Sequence, residues 1–154
     1  MKGFTLIELV VTIGISLAIT GGVIVNYNSY NQTQTLKQAA LTLKNDFRFI
    51  QAKANTGEKP VGCSTLTGWD ITFALDSYSY RANCNGAPTG TSTIITLPYG
   101  VTITTMPSPN PITLKVLAQG ANILSTTTIT LTAASKSYSL QVTPGGDISD
   151  LGIQ

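Results

Sequence analysis

The sequence predicts an α+β protein: a long N-terminal α-helix, transmembrane in its first half and amphipathic in its second, packed on a C-terminal antiparallel β-sheet head. Three observations carry this expectation. Residues 4–25 are apolar, small or threonine, with Glu8 the one exception. Residues 26–55 are polar but place apolar side chains at helical spacing. From Pro60 onward the pattern changes to strict alternation.

The first run contains 22 residues (4–25). As a helix it is about 33 Å long, enough to cross a hydrocarbon core of roughly 30 Å. Gly14, Gly21 and Gly22 lower its helix propensity, but glycine is tolerated in membrane spans and permits close helix approach. In the second stretch Leu36, Ala40, Leu43, Phe47, Ile50 and Ala54 recur at i, i+4, i+7, i+11, i+14 and i+18, one apolar stripe on a helix. Lys37, Lys44, Asp46, Arg48, Gln51 and Lys53 fall mostly off it. No proline separates the two stretches, and Gly57 and Pro60 follow them, so one helix is expected over residues 4–55. Its stripe is expected to pack on the strands that follow.

Over residues 60–154, runs such as Trp69-Asp70-Ile71-Thr72-Phe73, Tyr78-Ser79-Tyr80-Arg81 and Ile129-Thr130-Leu131 alternate apolar and polar residues. Gly, Pro and Asn clusters at 83–90, 98–100 and 107–111 punctuate them. Six to eight half-buried antiparallel strands are expected, with a hairpin between Trp69 and Arg81 that turns near Asp76-Ser77.

Composition argues against catalysis. The chain of 154 residues has no histidine and 10% charged residues, so the commonest general base and metal ligand are missing. Its seven acids show no catalytic spacing, and no cofactor or metal is expected. The net charge of +2 is too small to argue for nucleic acid as a partner. Cys63 and Cys84 are the two cysteines; they cannot form a C-x-x-C redox pair or complete a four-ligand zinc site without acidic help. If the head lies outside the cytoplasm, a disulfide between them is the natural reading; two buried free thiols are the alternative.

Glu8 bears on how the first 25 residues are used. A carboxylate in a membrane span costs on the order of 2.5–3.5 kcal/mol. A secretory signal with Ser16-Leu17-Ala18 at its cleavage site and a plain anchor both leave Glu8 unexplained. A third reading makes Gly3–Phe4 a processing site.

The stretch Lys2-Gly3-Phe4-Thr5-Leu6-Ile7-Glu8-Leu9 resembles the N-terminal signature of type IV prepilins and of the pseudopilins of type II secretion. The resemblance implies a leader of residues 1–3, cleavage after Gly3 by a prepilin peptidase, and N-methylation of Phe4. It also implies that residues 4–55 form the helix of a filament subunit. The amine created on Phe4 would lie within i, i+4 reach of Glu8, in its own chain or in an adjacent subunit, and the pairing would compensate two charges that are costly to bury apart.

Leu43 to Ala52, then Gly68-Trp69-Asp70-Ile71 and Thr143-Pro144-Gly145-Gly146-Asp147-Ile148, are similar to GspH/FimT-type minor pilins and pseudopilins, whose heads have two β-sheets. The implied function is that of a pilin, minor pilin or pseudopilin, assembled through Phe4 and Glu8. Its partners would be other pilin subunits, the prepilin peptidase and the assembly machinery of the inner membrane. It would pass from that membrane, as a single-pass protein, to an extracellular pilus or periplasmic pseudopilus. The alternative is a DNA-binding uptake pilin. The residues at 145–150 hold two acids and no arginine, and Arg81, Lys115 and Lys136 are scattered, so no nucleic acid is expected.

Overall fold

The structure, a computed structural model, describes residues 4–154, the side chains of 21–26 and 28 excepted. The expected leader, residues 1–3 with the processing residue Gly3, lies outside the described residues. Helix α1 (Leu6–Thr56) is followed by eight strands: β1 (Leu66–Phe73), β2 (Ser77–Cys84), β3 (Ala87–Thr96), β4 (Val101–Thr105), β5 (Ile112–Lys115), β6 (Thr127–Ala133), β7 (Lys136–Val142) and β8 (Ile148–Ile153).

The expectation of a long N-terminal helix with a transmembrane first half is corrected. The helical residues divide between two compact units, with the boundary between Gln34 and Thr35. Described side chains fall in two shorter stretches, residues 6–20 and 29–56. Among the described residues no helix is long and apolar enough to cross a membrane. The reason lies in the sequence: Thr5, Glu8, Thr12, Gly14, Ser16 and Thr20 dilute the apolar side chains of the first stretch.

In the second unit, residues 35–56 carry the predicted stripe. Leu36, Ala40, Leu43, Phe47, Ile50 and Ala54 are all buried, joined by Ala39. Each larger member contributes roughly 1.5–3 kcal/mol by leaving water. The helix ends in a Schellman arrangement, Glu58 N donating to Lys53 O and Gly57 N to Ala54 O, both at 3.1 Å.

Two four-stranded antiparallel sheets receive this helix, ordered β3-β2-β1-β5 and β4-β6-β7-β8. Alternation along the strands sends Ile71, Phe73, Tyr78, Ile129, Leu131 and Leu140 into one core with the stripe. In the first sheet Phe73 opposes Tyr78 and Ile71 opposes Tyr80, and the turn lies at residues 74–76, just ahead of the expected place. The hairpin tip also ties the sheets together, since Ile103 N donates to Leu75 O at 2.7 Å and Leu97 N to Asp76 O at 2.8 Å.

The margin of the first sheet at β5 is closed by side chains acting as strand partners. Asn110 accepts from Phe73 N at 3.0 Å and donates to Phe73 O at 2.8 Å. Asn122 does the same for Thr113, with Thr113 N to its Oδ1 at 2.8 Å and Asn122 N to Thr113 O at 3.0 Å. Between these strands Asp70 is buried and accepts from Thr113 Oγ1 at 2.7 Å and Asn83 Nδ2 at 2.9 Å, as a buried carboxylate requires. At the other margin β3 pairs, among the described residues, with β2 alone.

Candidate functional site

The predicted assembly residues lie in the first unit. Thr5 and Glu8 form a capping box. Thr5 N and Thr5 Oγ1 donate to Glu8 Oε2 at 2.9 and 2.7 Å, and Glu8 N approaches Thr5 Oγ1 at 3.4 Å. Two otherwise orphaned backbone donors at the start of α1 are thereby satisfied. The pattern Thr-x-x-Glu ahead of an apolar run was readable in the sequence, but the reading passed over it in favour of pairing Glu8 with the Phe4 amine. Phe4 is 91% exposed and lines a cleft of about 250 Å³ with Glu8, Leu9 and Thr12. Phe4 and Glu8 thus border one surface, while the carboxylate itself is engaged by Thr5.

Beyond the cap, the segment presents apolar side chains to solvent. Leu6, Ile7, Leu9, Val10, Val11, Ile13, Ile15, Leu17 and Ile19 are each at least 51% exposed. An uncovered apolar patch of this extent marks an interaction surface. Its polar side chains are satisfied within the helix: Thr12 Oγ1 donates to Leu9 O at 2.9 Å, Ser16 Oγ to Thr12 O at 2.8 Å and Thr20 Oγ1 to Ser16 O at 2.7 Å. Hydroxyls bonded back to the preceding turn bring no unpaired donor into an apolar contact.

In the second unit the structure joins Cys63 and Cys84 in a disulfide with Cα atoms 5.7 Å apart. Cys84 opposes Leu66 across the β1–β2 ladder, so the bridge fastens the chain entering β1 to the end of β2. Lys53 stands 5.1 Å from the ring centroids of both Phe49 and Trp69 and forms an ion pair with Glu58. It holds the helix end against the first sheet by cation–π contact.

Lys44 forms an ion pair with Asp150, which also accepts from Tyr138 Oη at 3.4 Å. The Lys44 ammonium holds the Asp150 carboxyl below its ordinary range. One of the two acids at 145–150 is therefore a fastening between helix and β8. Tyr78 donates to Asp46, and burial, then that carboxylate, push its phenol well above the usual value. The cations considered for DNA lie on three strands, Arg81 on β2, Lys115 on β5 and Lys136 on β7. No group of three or more potential metal ligands exists among the described residues.

Against models of protein families, curated proteins and solved structures, the chain finds no match in any of the three comparisons.

Proposed function

We propose that the protein is a structural subunit, a pilin, minor pilin or pseudopilin, of a type IV pilus or type II secretion pseudopilus. In this reading prepilin peptidase cleaves after Gly3, Phe4 is N-methylated, and the inner-membrane assembly machinery passes the chain into a filament with other pilin subunits. The role is architectural rather than catalytic.

The observation that carries the reading is the exposed apolar surface of residues 4–19, directly after the Gly3–Phe4 motif and separate from a unit with its own closed core. Such a surface has to be covered, and packing against copies of itself would cover it. The Cys63–Cys84 bridge suits an oxidising compartment outside the cytoplasm. Mass spectrometry of the mature protein tests the proposal. Loss of Met1-Lys2-Gly3 and a methylated Phe4 amine are expected, and an intact N-terminus in assembled filaments would overturn it.

A further inference from the structure

β3 is the longest strand, and its ten residues, Ala87–Thr96, contain no ionisable side chain. Solitary edge strands are normally blunted by charge, proline, bulges or a covering segment. Here a register shift between Tyr80 and Ala82 of β2 leaves residues 90–92 of β3 outside the ladder, and Pro98 follows at the other end. A regular, unblocked edge remains over residues 93–97, with Ile95 at its centre.

The polarity of that edge follows from the ladder. Leu97 N donates to Asp76 O in the register that sets Ile95 against Tyr78 and Thr93 against Tyr80. Backbone groups of an antiparallel strand alternate in direction, so those of Ile94 and Thr96 point away from β2, toward the open side. Ile94 is 69% exposed. Ile95 shares its face with buried Tyr78 and borders a cleft of about 250 Å³ between helix and strand, with Ala39, Thr42, Leu97 and Pro98. The edge therefore offers hydrogen-bonding groups beside an unfilled apolar cleft, the two elements that strand addition uses.

We propose that β3 pairs antiparallel with β3 of a second copy of this chain about a two-fold axis at Ile95. Ile95 faces its own counterpart as a non-hydrogen-bonded pair, and Ile94 and Thr96 exchange N–H···O bonds with Thr96 and Ile94 of the other copy. The two clefts meet around the isoleucine pair, which removes apolar surface from water. Self-pairing is favoured over a foreign strand by the edge itself. It is self-complementary in register about its own midpoint, and no like charges oppose each other across the axis, an arrangement that would be destabilising. The contact uses the second unit and stands independently of the filament reading.

The test uses the full chain in detergent micelles. In Ile95→Cys the two Cα atoms would lie about 4.5 Å apart, within disulfide range, so mild oxidation is expected to double the apparent mass on a non-reducing gel. Thr104→Cys, on β4, serves as the control and is expected to stay monomeric. Ile94→Lys in the Ile95→Cys background puts an ammonium into each copy's pairing edge, and loss of the cross-link is expected. Equal cross-linking at Thr104→Cys, a cross-link indifferent to Ile94→Lys, or a monomeric Ile95→Cys chain would each overturn the proposal. So would an Ile95→Cys chain that cross-links in cells only to a protein of different mass. The filament reading is judged by the separate mass measurement of Phe4.

Discussion

Lys44 on the helix and Asp150 on the last strand form an ion pair between residues 106 positions apart. The pair fastens β8 to the same helix that packs on both sheets. The Asp150 carboxyl is held below its usual range, so its contribution is present above the ordinary carboxylate value near 3.9. It is lost as pH falls through the lower folded value. Asp150→Asn should cost within roughly 1 kcal/mol at neutral pH. Melting curves of both proteins should converge on acidification below about pH 4.

Tyr78 gives the opposite dependence. Its folded-state phenol is raised by burial and by Asp46, so its contribution is complete below the usual phenol value near 10 and is lost as pH rises further. Tyr78→Phe should cost about 1–2 kcal/mol at neutral pH through the lost bond to a carboxylate. Denaturant titrations above pH 10 should show the variant losing less of its remaining stability than the wild type.

The Cys63–Cys84 bridge spans 21 residues and should contribute about 3 kcal/mol on the chain-entropy model. A double serine variant should fold under mild conditions and melt at lower temperature, a shift read by near-ultraviolet circular dichroism. Two free thiols on alkylation of the denatured, unreduced wild type would show that the bridge does not form.

Gly68 sits where β1 and β5 approach closely. A Cβ there would lie 2.3 Å from the Leu114 carbonyl oxygen, backbone that cannot swing aside. Gly68→Ala should force those strands apart and destabilise by about 1–3 kcal/mol, measured by urea unfolding.

Glu8 can be divided by substitution. Glu8→Gln keeps an acceptor for Thr5 and should preserve the helical start, because glutamine also serves in a capping box. Glu8→Ala should lose about 1 kcal/mol of helix stability. If assembly also needs the carboxylate charge, as proposed, filament incorporation should fall in both variants while helical circular dichroism falls only in Glu8→Ala. Normal incorporation of Glu8→Gln would reduce Glu8 to a cap.

The helix stripe was legible because six residues repeat one geometric period, and burial follows from period alone. β1, β2, β4, β5, β6 and β7 were legible for the same reason at period two. β3 was missed because the reading treated residues 83–90 as punctuation. Asn85-Gly86, with φ of 55° and 78°, is instead a two-residue hairpin turn that leads straight into the strand, and Asn-Gly is its strongest local signal. β8 was hidden because a register shift between Ser139 and Leu140 of its partner breaks its alternation. The length of the helix was overstated because the count of apolar positions ignored how far glycine and hydroxyls dilute them. At the candidate site, Thr5 and Glu8 are local and could have been read as a cap, whereas the pairing of Lys44 with Asp150 is a product of folding that no spacing announces.

Asn110 and Asn122 give the first sheet a direction of growth. Their amides occupy backbone groups at the β5 margin that another strand would need, so a copy arriving there meets a finished surface. Only the β3 margin remains to recruit. Two copies joined there hide both open margins and turn both amide-capped margins outward, so the sheet stops at eight strands instead of running on as a fibre. Two asparagine side chains thus act as a chain terminator for a surface that would otherwise polymerise.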